Sequence, residues 1–200
     1  MSATWTEVRK LRILDFDLEC RPLSWYGGDW VTKEITAIGS SWIGDGRKGE
    51  RCFLLGRDEP KEMLETFRQM WEEADMVTGH YIRGFDCPVL NAAMIEYGLP
   101  PLPAKLSSDT KLDLVKFSGL SKSQENLGAL LNLNHPKVQM DQGKWREANR
   151  LTPEGIELTR KRVMGDVRQH MEMRERLLAQ GLLGPPKIWR PDQRSAGYIS

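Results

Sequence analysis

The chain has 200 residues and a net charge of +1, with 40% hydrophobic and 28% charged residues. These values are typical of one water-soluble globular domain, and they exclude the overall basic field of many nucleic-acid-binding proteins. Cys20, Cys52 and Cys87 are too widely spaced for a C-x-x-C metal motif, and their odd number argues against a disulfide framework. With no signal peptide or membrane-spanning segment indicated, we expect a cytoplasmic protein without a membrane partner.

The first predicted strand has two different faces. Residues 11–20 alternate in character, as a strand with one buried face does. Its apolar face carries Leu14, Phe16 and Leu18, and its other face carries Asp15, Asp17 and Glu19. Carboxylates are poor strand residues and repel one another, which indicates a bound cation. Asp17 and Glu19 project side by side, so they are candidate ligands of Mg²⁺ or Mn²⁺. A strand with a solvated acidic face is the open alternative.

The later elements alternate between strands and helices. In chain order they are predicted as strands 35–43 and 51–55, a helix from 58, strand 76–80, helix 85–97, strand 106–110, a helix capped by Ser121 and Gln124, and a long helix from Thr152 to Gln180. This order predicts an α/β fold, with a mixed five-stranded sheet that has helices on both faces. Residues 1–183 are predicted to form the domain, and residues 184–200 an irregular C-terminal tail.

Two further carboxylates stand out. Asp86 follows a glycine-bearing turn and opens a helix, where an ordinary N-cap role is the alternative. Asp166 lies within the long helix, one turn from both Arg162 and His170. A surface ion pair between Arg162 and Asp166 is the alternative for that residue.

Taken together, these motifs resemble those of a known superfamily. Asp-x-Glu on a first strand (16–19), Phe-Asp opening a later helix (77–86) and Gly-Asp-Val in a C-terminal helix (163–167) are similar to the three motifs of the DEDD 3′–5′ exonucleases. The resemblance extends over about residues 11–180 and is strongest to the proofreading domains of B-family DNA polymerases and their stand-alone relatives. It implies a ribonuclease H-like fold, with two Mg²⁺ or Mn²⁺ ions held by Asp17, Glu19, Asp86 and Asp166.

The chain departs from the family pattern at the residues that handle the attacking water. Tyr81 replaces the usual Asn of the second motif, and Arg162 and Lys161 occupy the positions of the usual Tyr or His of the third. Arginine cannot act as a base at neutral pH. We therefore expect attack without a dedicated base, with Arg162 and Lys161 binding substrate and His170 assisting at most. Replacement of the usual residue by His170, Tyr81 or His80 is the open alternative.

Substrate contacts are expected beside the motifs. Trp25, Tyr26 and Trp30 follow the first strand and can stack on bases, although packing under the loop is an alternative for each. Cys20 and Phe85 adjoin motif carboxylates and Tyr81 lies within the second motif, and all three are assigned to substrate contact as well. A stripe of basic residues predicts phosphate contacts, with a solvated face balanced by glutamates as the alternative. Its members are Lys144, Arg146, Arg150, Arg160, Lys161, Arg162, Arg168, Arg174 and Arg176.

The resemblance implies an exonuclease that acts on single-stranded DNA 3′ ends. Because the 200 residues hold no polymerase module, we expect it to act alone or to proofread in trans beside a separate polymerase or replication protein, in a bacterium or a phage. A catalytically weak nucleic-acid-binding or partner-binding module on the same fold is one alternative. An exoribonuclease or oligonucleotide hydrolase is the other, because discrimination of RNA depends on contacts to the 2′-OH.

Overall fold

The computed structural model describes residues 10–23, 30–135 and 137–192. Six strands occur in this part of the chain: β1 (Ile13–Pro22), β2 (Lys33–Trp42), β3 (Glu50–Leu54), β4 (Met76–Gly79), β5 (Lys105–Asp109) and β6 (Lys187–Trp189). The α-helices are α1 (Pro60–Glu73), α2 (Asp86–Glu96), α3 (Thr110–Asp113), α4 (Gln124–Leu130), α5 (Gln142–Asn149) and α6 (Pro153–Ala179). A short 3-10 helix covers Gly46–Gly49.

The strands form one mixed sheet in the order β3-β2-β1-β4-β5-β6. The first three strands form an antiparallel meander, because β2 pairs antiparallel with both β1 and β3. β4 is parallel to β1 and β5. The expected number of five strands is too low, because β6 pairs antiparallel with β5. This short strand lies within the segment expected to be irregular.

Helices cover both faces of the sheet. The face formed by Leu14, Phe16 and Leu18 is buried with Phe67 and Trp71 of α1 in the largest hydrophobic cluster. Helix α6 packs on the opposite face against β1, β2 and β3. The acidic face of β1 is therefore not a solvated face, because it lies under α6. This arrangement places the carboxylates of β1 and of α6 on the same side of the sheet.

A glycine allows α6 to approach the sheet beside the acidic strand. Gly39 of β2 is the partner of Asp17 in the sheet register. A Cβ atom at Gly39 would lie 2.8 Å from Cγ2 of Val163 in α6. Any larger residue there would push the helix outward, and Asp166, which is one turn further along α6, would move with it.

The ends of two helices test the predicted caps. The side chain of Thr152 accepts a hydrogen bond from the Gly155 amide, which confirms Thr152 as the N-cap of α6. The predicted cap at Ser121 is wrong: Ser123 accepts from the Asn126 amide and caps α4. In the described part of the chain, no helix combines the length and the apolar character needed to cross a membrane.

Candidate metal centre

The acidic side chains meet in a cleft beside the carboxyl end of β4. The cleft has a volume of about 250 Å³. It is lined by Asp17, Leu18, Glu19, His80, Tyr81, Phe85, Asp86, Lys111, Ser123, Gln124, Lys137, Arg162 and Asp166. Every motif carboxylate singled out in the sequence therefore faces one cleft, although they come from three separate parts of the chain.

Three of these carboxylates are close enough to share one ion. Asp17 and Glu19 of β1 and Asp166 of α6 each offer an oxygen, and these oxygens all lie within 4.8 Å of one another. Asp86 lines the same cleft outside this group of three, and its Oδ1 accepts a hydrogen bond of 3.1 Å from the Leu18 amide. That bond fixes the first turn of α2 against β1, between the two acidic residues of the strand.

The cleft concentrates negative charge where water is largely excluded. Burial raises the pKa of Asp17 well above its ordinary value, and repulsion from neighbouring carboxylates is the second largest cause. Burial also raises the pKa of Glu19 and of Asp86 to about 7 and shifts that of Asp166 upward. Carboxyl groups with such raised pKa values gain strongly from a nearby cation.

The donor set fits a hard divalent cation. Carboxylate oxygens are the ligands that Mg²⁺ and Mn²⁺ prefer. One of these oxygens, Oδ1 of Asp166, is buried without a hydrogen-bond partner, and a buried acceptor left in that state is costly. A cation at the centre of the three carboxylates would satisfy it.

Two basic side chains already contact this centre, and we call Lys137 and Arg162 the resident cations. Nζ of Lys137 lies 2.9 Å from Oδ2 of Asp166, and Nη2 of Arg162 lies 3.1 Å from the same oxygen. Nε of Arg162 donates to Oε1 of Glu19 at 3.1 Å. The Arg162–Asp166 pair is thus buried in the cleft and is not the surface pair considered as an alternative. Sequence reasoning missed Lys137, which lies in an irregular segment that has no motif.

His170 occupies a buried position behind the cleft. Its Nδ1 lies 2.6 Å from Oδ2 of Asp15, and its Nε2 lies 3.1 Å from Oγ1 of Thr110. Oγ1 of Thr110 also lies 2.8 Å from Nδ1 of His80, and Nε2 of His80 lies 2.7 Å from the Lys122 carbonyl oxygen. His170 is not among the described residues that line the cleft. The geometry does not place it at the attacking water, and its assisting role stays a prediction.

The groups at the end of this hydrogen-bond chain decide which atom donates and which accepts in each contact. The Lys122 carbonyl only accepts, so Nε2 of His80 carries the proton. Burial lowers the pKa of His80 to about 3, which leaves the ring neutral and makes its Nδ1 an acceptor from Thr110. The hydroxyl oxygen of Thr110 in turn accepts from Nε2 of His170. The chain therefore ties β1, α3 and α6 to the cleft wall at His80.

The low pKa of His80 predicts a pH dependence of stability. The pKa falls from 6.5 to about 3 on folding, so the folded state binds fewer protons between these values. The contribution of His80 to stability is present above pH 6.5 and is lost as the pH falls towards 3. We expect His80→Gln to flatten this part of the profile, measured as urea unfolding free energy from neutral to acidic pH.

The wild-type protein and the variant share the opposing contributions of Glu19 and Asp86, whose raised pKa values favour folding at low pH. The difference between the two profiles therefore isolates His80. If the profiles were parallel, the assignment of a neutral buried His80 would be wrong.

The predicted substrate-contact residues are divided between the cleft and the surface. Tyr81 and Phe85 line the cleft, and Tyr81 adopts a positive φ of 78° while its amide donates to Asp109. Cys20 is half-buried outside the cleft lining, and burial together with Asp86 and Glu19 raises its thiol pKa to about 12. Lys161 is exposed and lies 3.8 Å from Glu157, so the structure does not bring it to the cleft.

The aromatic residues after β1 are only partly described. Trp30 is 97% exposed and lies at the rim of a second, mostly apolar cavity between β2, α1 and α2. Trp25 and Tyr26 lie outside the described residues. The geometry thus leaves the surface of Trp30 available for stacking, and this role stays a prediction.

The basic stripe is largely neutralised. Arg160 pairs with Glu157, Arg168 with Glu50, and Arg176 with Glu172. Arg150 pairs with Glu147, and Nζ of Lys144 donates to the Gln139 carbonyl. These contacts favour the alternative reading, a helix face balanced by glutamates. Among the stripe residues, Arg162 is the one that lines the carboxylate cleft.

The comparisons with known proteins bear on the fold. No protein-family model matches the chain, and no curated protein matches it. Among solved structures, the chain is similar to the family B DNA polymerase from the hyperthermophilic archaeon Pyrobaculum calidifontis, with a TM-score of 0.69 and 20% sequence identity. The likeness covers 87% of this chain but only 25% of the polymerase chain. It shows the fold, which is α/β and ribonuclease H-like.

Proposed function

We propose that the protein is a DEDD-type, metal-dependent 3′–5′ exonuclease that acts on single-stranded DNA ends. The observation that carries the proposal is the convergence of Asp17, Glu19 and Asp166, whose ligand oxygens lie within 4.8 Å of one another. Asp86 lines the same cleft. The four carboxylates of the resemblance thus face one cleft, and the fold is shared with a DNA polymerase.

The four carboxylates would hold two Mg²⁺ or Mn²⁺ ions. When bound, such ions activate a water and stabilise the departing 3′ oxygen. Asp17, whose charge interacts with those of Asp86, Asp166 and Glu19, would be one of the residues that hold the ions. The Leu18 amide, which lies between Asp17 and Glu19 in β1, donates to Asp86 and holds that carboxylate in place. Tyr81 and Phe85 form part of the cleft wall, where an unpaired terminal base can pack.

The cleft residues also support attack without a dedicated histidine base. His80 is neutral and lines the cleft, but its Nδ1 accepts from Thr110 and its Nε2 donates to Lys122. Neither ring nitrogen is free to take a proton from water. Arg162 is a donor only. These residues would therefore hold substrate and carboxylates in place, and none of them is expected to remove the proton from the attacking water.

The proposal is tested with 5′-labelled single-stranded DNA incubated with Mg²⁺, Mn²⁺ or EDTA. We expect a ladder that shortens by one nucleotide at a time in either metal and no cleavage in EDTA. A matching RNA strand, assayed in parallel, distinguishes the DNA exonuclease from the exoribonuclease alternative. Shortening of a 3′-blocked strand at the same rate, or cleavage in EDTA, would contradict the proposal.

A catalytically weak binding module is the second candidate. It is favoured by the resident cations, which occupy oxygens of Glu19 and Asp166 that an ion would need. Tight, salt-sensitive binding of the labelled strand without cleavage in either metal would favour this function. For either candidate we propose single-stranded nucleic-acid ends as the ligand. A separate polymerase or replication protein is the proposed macromolecular partner.

A further inference from the structure

We propose that Lys137 and Arg162 compete with divalent ions for the metal centre, and that an ion must displace Lys137 to bind at Asp166. The inference rests on the proposed function, because it concerns the same centre. It adds a property of the site: the resident cations set how tightly, and in what number, the ions bind.

The geometry places both cations on ligand oxygens. Oδ2 of Asp166 contacts Nζ of Lys137 at 2.9 Å and Nη2 of Arg162 at 3.1 Å. Oε1 of Glu19 accepts from Nε of Arg162 at 3.1 Å. Oδ2 of Asp166 therefore contacts two N–H donors, while Oδ1 of the same carboxylate is buried without a hydrogen-bond partner. An ion ligated by Asp166 would lie within a few ångströms of both positive groups, where repulsion is strong because water is scarce.

The net charge of the metal centre also indicates that the resident cations compete with divalent ions. The four carboxylates carry a formal charge of −4 when ionised, and the resident cations in contact with them supply +2, which leaves −2 at the metal centre. That charge balances one divalent ion. Lys111 also lines the cleft, but its ammonium lies against the Tyr81 ring and is not included in this sum. A second ion would bring the centre to +2 unless a resident cation withdrew. Two-ion occupancy therefore requires the loss of at least one of these contacts.

Lys137 is the resident cation that can leave. Arg162 is anchored by three groups, because its Nη1 also donates to the Val138 carbonyl at 2.7 Å. Its side chain is only 12% exposed, against 20% for Lys137. The guanidinium is a rigid fork, whereas the lysine ammonium sits on a flexible four-carbon stem and is readily hydrated. Solvent can therefore accept the Lys137 ammonium at a smaller cost.

The test is calorimetric titration of Mn²⁺ into the full-length wild-type protein and the Lys137→Met variant, with no nucleic acid present. Methionine keeps the length of the stem and removes the charge. We expect Mn²⁺ to bind the variant about tenfold more tightly or better, because a like charge next to the ion is gone. The matched control is Lys111→Met. Lys111 lines the same cleft, but its ammonium lies 3.9 Å from the Tyr81 ring centroid, on an aromatic face instead of a carboxylate.

For the control variant we expect an affinity within about twofold of wild type, since the repulsion between an ion and an ammonium group falls with distance, and the Lys111 ammonium lies against the Tyr81 ring. An equal gain in Mn²⁺ affinity in both variants would mean that only the net charge matters, and it would overturn the proposal. Unchanged or weaker Mn²⁺ binding by Lys137→Met would also overturn it. If Lys137→Met folds poorly by circular dichroism, Lys137→Gln replaces it, with the same expected direction.

The outcomes separate this inference from the nuclease proposal. Tighter Mn²⁺ binding by Lys137→Met in a protein that cleaves no strand would support the competition and contradict the exonuclease. Cleavage by the wild-type protein together with equal Mn²⁺ affinity in the wild type and Lys137→Met would support the exonuclease and contradict the competition.

Discussion

Asp17→Asn is expected to reduce cleavage of a single-stranded DNA end by about 10³-fold, because the substitution removes the charge at the centre of the carboxylate cluster. Repulsion from Asp86, Asp166 and Glu19 acts on Asp17 in the metal-free protein. Its removal should therefore leave the fold intact and keep or raise the unfolding temperature. The measurements are single-turnover cleavage in saturating Mg²⁺ and thermal unfolding in EDTA.

Asp45→Asn is the matched control for this experiment, since Asp45 is an exposed carboxylate outside the cleft. It should change neither rate nor stability by more than a small amount. Wild-type cleavage by Asp17→Asn would remove the basis of the two-ion proposal. A variant that unfolds at a lower temperature in EDTA would instead give Asp17 a structural role.

His170→Ala is expected to lower the free energy of unfolding by about 3 kcal/mol, because it leaves Asp15 buried and without its ring partner. The contact between Nδ1 of His170 and Oδ2 of Asp15 measures 2.6 Å, and both side chains are almost fully buried. Urea unfolding measures the loss. The double variant Asp15→Leu/His170→Leu should recover much of it, since neither member of the pair is then left buried without the other.

His135→Ala is the matched surface control for the histidine. Its ring also contacts a carboxylate, that of Glu172 at 3.1 Å, but the side chain is 52% exposed. We expect a loss of no more than about 1 kcal/mol there. If His170→Ala kept wild-type stability and substrate binding but slowed cleavage by about 10²–10⁴-fold, His170 would be the general base after all.

The parts of the fold that sequence predicted best are those with a strong period. Alternation along β1 separates its apolar face from its acidic face, and the structure buries each under different helices. Thr152 and the following Pro153 mark the start of α6 through cap chemistry that is local to the sequence. The motif carboxylates were found because their spacing resembles a known pattern, and the structure brings them to one cleft.

The remaining features depend on contacts between distant residues. Lys137 reaches Asp166 from an irregular segment, so no local pattern could single it out. Asp15 was grouped with the acidic face of β1, but its partner His170 lies 155 residues away. The partner of Arg168 could not be found from α6 alone, because Glu50 comes from β3. Arg160 and Arg176 pair with glutamates of α6 itself, which is the balanced helix face that the sequence left open.

The edge strand β6 is translated late, and this affects the solubility of the nascent chain. Ser107 of β5 pairs with Lys187, a separation of 80 residues, and Trp189 packs edge-to-face on Trp71 at 5.4 Å. A ribosome must therefore translate nearly all of the described chain before the β5 edge is paired and the indole of Trp71 is covered. Until then the nascent chain presents an open strand edge beside an aromatic surface, a combination that promotes association between chains. Ribosome-bound intermediates that stop before residue 187 are thus the species for which a holding chaperone would matter most.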